Sequence, residues 1–383
     1  MEPGIATKRT PGVAAREAPQ PLRSVSVVVP TYREAANLPE LVERLDRVRR
    51  ALGLDLELIV VDDDSRDGTE EWVAAAGRPW IHLVVRRGAR GLSAAVVEGL
   101  RAARGDALVV MDADLSHPPE RLPDVLEALE AGHDFVIGSR YVHGASTAED
   151  WGVLRWINSR IATWLARPFT RAADPMSGYF ALRRETFAAA SGLNPVGYKI
   201  GLELLVKCAV ANVAEVPIHF AQRRAGKSKL NLREQLRYLQ HVRRLWIHRF
   251  PTVAYLSQFV IVGASGVLVN VLALTALLGL GVAIPWAVAL AIAISMVSNF
   301  ALNRRFTFSY ARRGSVLGQL LGFVTASSFG AAVNYGVTVG LLVRWPSLLP
   351  QIAAVGGVVA GTGLNFVTSR YVVFRKRSGS SAV

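Results

Sequence analysis

The chain has very little cysteine and comparatively little negative charge. Cys208 is the only cysteine in 383 residues, which excludes a disulfide framework and a metal site built on thiolates. We expect Cys208 to be a small core residue. Lysine and arginine number 44 against 30 aspartates and glutamates, a formal net charge of +14. Such a surplus favours nucleic acid, anionic lipid or a phosphorylated substrate as partner, and the membrane-like sequence beyond Pro251 favours the last two.

Several common sequence signals are also missing. No Gly-x-Gly-x-x-Gly follows the first predicted strand, so a dinucleotide cofactor is not expected. The stretch Gly226-Lys227-Ser228 lacks the upstream glycine and the strand–loop context of a Walker-type phosphate loop. Residues 1–22 contain no apolar segment, so we predict a flexible tail rather than a secretory signal peptide, and a cytosolic location for the domain that follows.

Short apolar runs alternate with helical patterns up to about residue 250. The runs at 24–29, 56–61, 81–85 and 107–110 have the length of buried strands, and helical segments separate them. Residues 136–141 predict a further strand that ends in an arginine. This alternation predicts an α/β domain with a mostly parallel sheet. In such sheets, ligands bind beyond the carboxyl ends of the strands.

Polar side chains follow three of these strands where each one ends. Tyr32 and Glu34 follow the first strand, residues 62–64 are three aspartates after the second, and Asp112 and Asp114 follow the fourth. Three such clusters on one sheet edge indicate a single site. The Asp112–Asp114 pair suits Mg²⁺ or Mn²⁺, which bind through one or two carboxylates plus substrate phosphates. A solvated turn before a helix would explain the pair alone equally well.

The ordered motifs resemble the family-2 glycosyltransferases, and among them the dolichyl- or polyprenyl-phosphate mannose synthases. The residues that carry the resemblance are Val29-Pro30-Thr31-Tyr32-Arg33-Glu34, Val61-Asp62-Asp63-Asp64-Ser65 and Asp112-Ala113-Asp114-Leu115-Ser116-His117-Pro118-Pro119-Glu120. The resemblance spans about residues 24–235 and implies a GT-A (Rossmann-like) fold, a nucleotide sugar and a divalent metal, Mg²⁺ or Mn²⁺. Ser116 departs from the pattern, since many members have glutamine there.

The resemblance also implies roles for individual residues. Asp112, Asp114 and Arg140 would be catalytic, and the metal would be held by Asp112, Asp114 and Ser116. The acceptor lipid phosphate would be gripped by Arg140, Arg155 and Ser159. The nucleotide sugar would contact Pro30, Tyr32, Glu34, Val61, Asp63, Asp112, Ala113, Asp114, Ser116, Arg140, Lys199, Arg223 and Lys229.

Two segments have the composition of helices that lie on a membrane surface. Residues 151–169 combine tryptophans with three arginines, although core packing would also explain the tryptophans. Residues 231–250 carry an apolar stripe beside a strongly basic face. The Gln-x-x-Arg-Trp stretch expected of processive polysaccharide synthases is absent here, so we expect transfer of one sugar only.

The remainder of the chain predicts a membrane domain. Apolar segments at about 252–280, 285–302, 316–343 and 350–370 can each span roughly 30 Å of hydrocarbon. Basic residues cluster at 304–305, 312–313 and 375–377, which by the positive-inside rule puts both ends of the domain in the cytosol. Asn270, Asn299, Asn334 and Asn365 are expected to face the protein interior. This half resembles the GtrA-type four-helix membrane proteins.

The membrane half repeats itself, which predicts two hairpins built on one plan. Phe259, Gly266 and Asn270 recur 64 positions later as Phe323, Gly330 and Asn334; Asn299, Phe300, Arg304 and Phe308 recur 66 positions later as Asn365, Phe366, Arg370 and Phe374. The predicted organisation is a tail at 1–22, a GT-A domain at 23–230, an interface helix at 231–250, a GtrA-like transmembrane domain at 251–377 and a tail at 378–383.

The predicted function is inverting, metal-dependent transfer of mannose from GDP-mannose to a polyprenyl (dolichyl-type) phosphate at the cytosolic membrane face. The protein would be a multi-pass integral membrane protein with both termini in the cytosol. Its partners would be these substrates, membrane lipids and further copies of the chain through the transmembrane helices, but not nucleic acid. Two alternatives remain: a UDP-glucose-dependent enzyme on the same fold, and a lipid-linked sugar translocase with a sugar-nucleotide-binding module.

Overall fold

The computed structural model describes residues 21–147, 153–194, 197, 199–208, 210–221, 232–312 and 314–375. The chain divides into two compact units, Met1–Leu245 and Trp246–Val383. The first unit mixes strands and helices, and the described part of the second is helical.

The first unit is built from nine short strands and eight helices within the described residues. The strands are β1 (Ser24–Thr31), β2 (Asp55–Asp62), β3 (Ile81–Val85), β4 (Ala107–Val110), β5 (Phe135–Ser139), β6 (Ser146–Thr147), β7 (Phe180–Arg183), β8 (Val213–Pro217) and β9 (His219–Phe220). The helices are α1 (Leu38–Leu52), α2 (Thr69–Ala76), α3 (Leu92–Ala102), α4 (Leu122–Glu130), α5 (Val153–Ala166), α6 (Arg184–Ala188), α7 (Ile200–Lys207) and α8 (Leu232–Arg249), whose last turn passes into the second unit.

Seven of the strands form one sheet in the order β3-β2-β1-β4-β7-β5-β8. All neighbouring strands are parallel except β7, which runs antiparallel to both β4 and β5. The mostly parallel sheet predicted from the sequence is therefore confirmed, with one added antiparallel strand. Because β7 runs in the opposite direction, the residues that precede it reach the edge where the parallel strands end.

The core lies on both faces of this sheet because successive strand residues point to opposite sides. Val27 and Val29 of β1 pack towards α1 and α4, whereas Val28 packs towards α3. Cys208 lies in the second of these layers, and burial raises the pKa of its thiol to about 12. At neutral pH the thiol is protonated, so Cys208 is an unreactive core residue, as expected from the sequence.

The two helices predicted at a membrane surface lie against each other in the first unit. Leu245 of α8 is buried with Ala166 at the end of α5, and the Tyr238 hydroxyl donates to the Ala162 carbonyl oxygen at 2.7 Å. Each helix also leaves apolar side chains uncovered in the described structure. Trp164 is 72% exposed, and the other exposed apolar side chains are Ile157, Ile161, Leu236 and Leu239.

The second unit consists of four long helices. They are α9 (Pro251–Gly279), α10 (Ile284–Leu302), α11 (Val316–Arg344) and α12 (Pro350–Thr368). Among the described residues, three segments are long and apolar enough to cross a membrane: Pro251–Gly279, Ile284–Thr307 and Val316–Arg344. The predicted apolar segments coincide with these helices to within one or two residues.

The sequence repeat in the second unit is also a structural repeat. Both α10 and α12 continue into one π-helical turn, Asn303–Thr307 and Ser369–Val373, at positions 66 residues apart. The turns end at Phe308 and Phe374, which are fully buried and stack with ring centroids 4.8 Å apart. Phe259 lies 6.3 Å from Phe308, and its equivalent Phe323 lies 6.3 Å from Phe374. The two hairpins therefore meet in one aromatic cluster with paired contacts.

The repeated asparagines lie where two helices of one hairpin approach closely. Asn299 faces Gly266 in the first hairpin, and Asn365 faces the equivalent Gly330 in the second. In the second hairpin Asn334 also contacts Gly361. A glycine lets two helix backbones come together and leaves room for a polar side chain inside the hairpin. Asn299, Asn334 and Asn365 thus face neighbouring helices, as predicted.

Gly361→Ala should destabilise the second unit. A methyl group there would come within 2.9 Å of the Asn334 Cβ and closer still to the Gly330 carbonyl oxygen, so α11 and α12 must move apart. We expect a loss of about 1–3 kcal/mol in the free energy of unfolding, measured by denaturation of the full chain in detergent. The control is Gly363→Ala on the same helix, where an added methyl group meets no atom within 4 Å. Equal stability of the two variants would contradict the packing.

Candidate functional site

The loops after β1 and β2 are tied together at the carboxyl edge of the sheet. The strands are in parallel register with Thr31 beside Asp62, and the Thr31 hydroxyl donates to the Asp62 carboxylate at 3.0 Å. Asp62 is buried and also accepts from the backbone N–H of Ser65 at 2.8 Å. The Ser65 hydroxyl in turn accepts from the Arg33 N–H at 3.0 Å. Asp62 therefore fixes both loops and is not directed at a ligand.

This edge also concentrates backbone strain. Four non-glycine residues in the described structure have positive φ, and all four lie in the loops after β1, β2 and β4: Arg33 (62°), Asp64 (50°), Arg66 (52°) and Leu115 (63°). Left-handed backbone is unfavourable for side chains other than glycine and persists only where the surroundings impose it. Such residues cluster at functional sites, which supports a site at this edge.

The second carboxylate of the Asp-x-Asp pair is held by its own loop. The left-handed turn at Leu115 brings Ser116 back onto Asp114, whose Oδ1 accepts from the Ser116 N–H at 3.1 Å and from the Ser116 hydroxyl. Asp114 is 6% exposed and Ser116 is fully buried. In this arrangement Ser116 uses its hydroxyl proton to orient Asp114, and its predicted role as a metal ligand stays a prediction.

The first carboxylate is positioned through the backbone by a buried histidine. His117 Nδ1 accepts the Asp112 backbone N–H at 2.9 Å, so this ring nitrogen carries no proton. Burial lowers the pKa of His117, although the nearby Asp112 and Asp114 carboxylates act to raise it. His117 is thus neutral at neutral pH. Its ring lies between Tyr179, 5.6 Å away, and Phe220, 5.5 Å away, which fixes its orientation.

A glycine just before the antiparallel strand β7 leaves room for the Asp112 carboxylate. Gly178, which precedes β7, lies so close that a Cβ atom there would be 3.3 Å from both Asp112 carboxylate oxygens and 3.1 Å from His117 Cε1. On the same loop, the Met176 carbonyl oxygen accepts from the Lys199 ammonium group at 2.9 Å. A predicted phosphate-binding lysine is therefore held by the loop that carries Gly178.

Two arginines after β3 reach the predicted nucleotide residues. The Asp63 carboxylate forms an ion pair with Arg86 and accepts the Gly91 N–H at 2.7 Å. Arg90 donates to the Asp63 and Asp64 carbonyl oxygens at 3.0 and 2.9 Å and to the Tyr32 hydroxyl at 3.0 Å. Its guanidinium lies 4.8 Å from the Tyr32 ring centroid. Arg86 and Arg90 thus join the ends of β1, β2 and β3.

Other predicted nucleotide contacts are distributed around these loops. Pro30 and Val61 are buried neighbours in the sheet register, and Ala113 is also buried. Glu34 accepts from the Asn37 side-chain amide at 2.6 Å, at the start of α1. Arg223 and Lys229 lie outside the described residues. The roles of all these residues in nucleotide binding stay predictions.

Arg140 is fixed by a buried ion pair. Its Nε donates to Asp174 Oδ2 at 2.7 Å and its Nη2 to Asp174 Oδ1 at 2.8 Å, while the Arg140 backbone N–H also reaches Oδ2 at 3.1 Å. Asp174 is fully buried. Burial alone would lower the pKa of Arg140, but the Asp174 carboxylate raises it above the usual value, with smaller contributions from Tyr141 and Asp112. The guanidinium therefore stays charged and rigidly placed.

Tyr141 lies between the residues predicted to bind an acceptor phosphate. The Arg140 guanidinium is 5.4 Å from the Tyr141 ring centroid, and the Tyr141 hydroxyl is 2.7 Å from the Ser159 hydroxyl on α5. Arg160 lies over the same ring at 5.9 Å. Arg155 belongs to α5, but its side chain is outside the described residues. The structure thus brings Arg140 and Ser159 together through a tyrosine that sequence reasoning did not single out.

The oxygen donors at this site fit a hard divalent cation whose remaining ligands come from a substrate. No three His, Cys, Asp or Glu side chains within the described part of the chain converge as a metal site. Asp112 is partly exposed and lies two positions before Asp114, whose carboxylate is oriented by Ser116. Two carboxylates without further protein ligands are the pattern by which Mg²⁺ is bound together with substrate phosphates. The residues present therefore fit Mg²⁺ or Mn²⁺ next to a diphosphate.

Comparison with known proteins identifies the family. Residues 26–189 match Glycosyl transferase family 2. A protein of Pyrococcus furiosus named dolichol-phosphate mannosyltransferase is 41% identical over 357 residues, covering 91% of this chain and 99% of that protein. The chain belongs to the dolichol-phosphate mannosyltransferase family. A member of this family from Mycosarcoma maydis is 45% identical, and the match covers 60% of this chain and 81% of that protein.

The helical unit belongs to this relationship as well. Residues 258–374 match the GtrA/DPMS transmembrane domain family, so the chain is a membrane protein with transmembrane helices.

Among solved structures, glucosyl-3-phosphoglycerate synthase from Mycobacterium tuberculosis, in complex with Mn²⁺, uridine diphosphate and phosphoglyceric acid, is similar with a TM-score of 0.45. The identity is 23%, over 59% of this chain and 78% of that chain.

Several site residues were not assigned by sequence reasoning. Arg86 and Arg90 follow β3, so the rule that directed attention to the ends of the other strands would also have found them. His117 stood inside a family-like motif without a role. Asp174 and Gly178 belong to one family-like stretch, residues 174–180, but neither was given an individual role, because their contacts depend on the antiparallel course of β7 beside β4.

Asp174→Ala should cost about 3–5 kcal/mol of folding free energy, because it leaves the buried Arg140 guanidinium without its carboxylate. The double variant Arg140→Met with Asp174→Leu should recover part of this loss, since no uncompensated charge remains. Denaturation of the full chain in detergent provides the measurement. As control, Asp124→Ala removes one member of the exposed Arg121–Asp124 pair and should cost less than about 1 kcal/mol. A similar cost for both aspartates would contradict the buried ion pair.

Proposed function

We propose that this chain transfers mannose from GDP-mannose to a polyprenyl (dolichyl-type) phosphate, giving polyprenyl-phosphate mannose with inversion at the anomeric carbon. The observation that carries the proposal is the 41% identity to a dolichol-phosphate mannosyltransferase over 91% of the chain, including both units. The geometry at the sheet edge supports it, because carboxylates and cations there are arranged as a diphosphate would require.

The nucleotide would bind along the ends of β1 and β2. Tyr32, Glu34 and Asp63 would contact the base and ribose, and the arginines after β3 would stiffen these loops. Lys199, with Arg223 and Lys229 by family resemblance, would approach the diphosphate. Cations around a diphosphate are expected where carboxylates face it, because the substrate and the protein would otherwise repel each other.

Asp112 and Asp114 would hold Mg²⁺ or Mn²⁺. When bound, the cation would offset negative charge on the departing nucleoside diphosphate. The chain's own part is to fix the two carboxylates: Ser116 orients Asp114, and His117 anchors the backbone of Asp112. Since His117 is neutral and its Nδ1 is occupied, it acts as a structural acceptor and does not donate a proton from that atom.

The acceptor phosphate would lie near Arg140 and Ser159, with Arg155 by family resemblance. A lipid phosphate is already an anion near pH 7, so its oxygen can attack without a strong general base. The rigid ion pair with Asp174 would place Arg140 for this purpose, and correct positioning supplies much of the rate in such a displacement.

The membrane half would bring the enzyme to its lipid substrate. We propose that all four helices α9–α12 span the bilayer and that both ends of this unit lie in the cytosol, on the basis of the basic clusters at 304–305, 312–313 and 375–377. The exposed apolar side chains of α5 and α8, Trp164 above all, would contact the surface of the same membrane.

A sugar-transfer assay tests the function directly. Membranes containing the full chain are incubated with polyprenyl phosphate and either labelled GDP-mannose or labelled UDP-glucose. We expect labelled lipid from GDP-mannose only. If only UDP-glucose gives labelled lipid, the sugar donor is UDP-glucose and not GDP-mannose. If neither donor gives labelled lipid but a preformed lipid-linked sugar is translocated, the translocase is favoured.

Asp114→Asn should reduce transfer to below detection while the protein remains folded and inserted. The amide keeps the size of the side chain but loses the negative charge needed to hold the divalent cation. The control is Asp124→Asn, an exposed carboxylate on α4 that should leave the rate unchanged. Transfer at the normal rate by the Asp114 variant would rule out its assignment as a metal ligand.

A further inference from the structure

The two hairpins of the second unit carry equivalent arginines in equivalent π-helical turns, Arg304 and Arg370. Each arginine lies against the helix that opens the other hairpin. Arg304 Nε donates to Gln319 Oε1 on α11 at 2.8 Å, whereas the Arg370 guanidinium lies 5.0 Å from the Tyr255 ring centroid on α9. Gln319 and Tyr255 are themselves 64 positions apart, so they are equivalent in the repeat. The repeat thus keeps the arginine but changes its partner.

In the first hairpin the Nε and Nη2 atoms of the guanidinium donate to three oxygen atoms of the protein. Besides Gln319, Arg304 donates through Nη2 to the carbonyl oxygens of Arg312 and Gly314. The chain after α10 folds back to supply these acceptors, and the Gln319 amide donates to the Ala311 carbonyl oxygen at 2.9 Å. This site is therefore closed by its own loop.

In the second hairpin the described contacts of the guanidinium are with aromatic faces. Arg370 lies 5.0, 5.1 and 5.8 Å from the ring centroids of Tyr255, Tyr371 and Phe366. Its Nη1 is buried and has no hydrogen-bond acceptor among the described residues. Aromatic faces attract the cation but do not replace acceptors in the plane of the guanidinium. Within the described residues, an acceptor for Nη1 of Arg370 is therefore missing.

The surroundings indicate what that acceptor is. A guanidinium presents a planar set of N–H groups that matches phosphate oxygens, and contacts with ring faces do not supply acceptors for them. Next to Arg370 on the surface of the unit, Tyr371 and Val372 are mostly exposed, as expected of residues that face lipid. Three further basic residues, at 375–377, follow in the sequence. An anion that reaches this place carries an apolar tail.

We propose that Arg370, framed by Tyr255 and Tyr371, binds the phosphate group of a lipid at the end of α12. The phosphate belongs either to an anionic membrane phospholipid or to a polyprenyl phosphate, since both present the same oxygens. The inference does not depend on the proposed transfer reaction.

Native mass spectrometry of the full chain in detergent tests this proposal. The protein is titrated with phosphatidic acid, with a short polyprenyl phosphate or with phosphatidylcholine, and the bound lipids are counted. We expect both phosphate monoesters to bind more tightly than phosphatidylcholine, and Arg370→Gln to weaken them about tenfold, as for loss of one charge-assisted hydrogen-bonded pair. Whichever monoester binds more tightly identifies the source of the phosphate.

Two further variants make the result specific. Arg370→Lys keeps the charge but not the planar set of N–H groups, so we expect binding severalfold weaker than in the unmodified chain, and this variant serves if Arg370→Gln does not fold. Arg344→Gln removes a cation that also lies on a ring, that of Trp345 at 5.5 Å, and should change the affinity less than twofold. Equal affinity for all three lipids, or an equal loss in the Arg370 and Arg344 variants, would overturn the proposal.

Discussion

The first unit depends on the crowding of carboxylates at one edge of its sheet. Asp62, Asp63, Asp112, Asp114 and Asp174 all lie there, and like charges this close destabilise a fold unless each is compensated. Hydroxyl and backbone donors compensate Asp62 and Asp114, and arginines compensate Asp63 and Asp174. Beside Asp112 a neutral histidine anchors the backbone but brings no positive charge. The least buried of these carboxylates, Asp112, is the one best placed to meet a ligand.

Patterns along the chain were sufficient for the first five strands. The strands at 81–85 and 107–110 were found at their observed bounds, because apolar runs with turn residues on both sides have few other solutions. The strand β7 was missed, since its four residues end in a charged arginine and so do not form a wholly apolar run, and its antiparallel course is decided by neighbours distant in sequence. Gly178 could not be assigned for the same reason.

The sequence did not indicate which side chains pair with each other inside the site. Arg140 was predicted near a phosphate, but nothing in its surroundings along the chain indicates that Asp174, 34 positions away, holds the Nε–Nη2 edge of its guanidinium. The same holds for Arg86 and Asp63. In the membrane half the repeat showed from the sequence which positions recur, because two copies of one plan can be compared. The structure adds that Phe308 stacks with Phe374 and that Asn299 and Asn365 each face a glycine.

The uncovered apolar face of α5 and α8 has a kinetic consequence. A long-chain polyprenyl phosphate is nearly insoluble in water, so its concentration is meaningful only per unit area of bilayer. If Trp164 and its apolar neighbours lie in the headgroup layer, the acceptor reaches the enzyme by lateral diffusion and not through bulk solution. The rate at low acceptor should then follow the mole fraction of polyprenyl phosphate in the membrane, whatever the total volume of the sample.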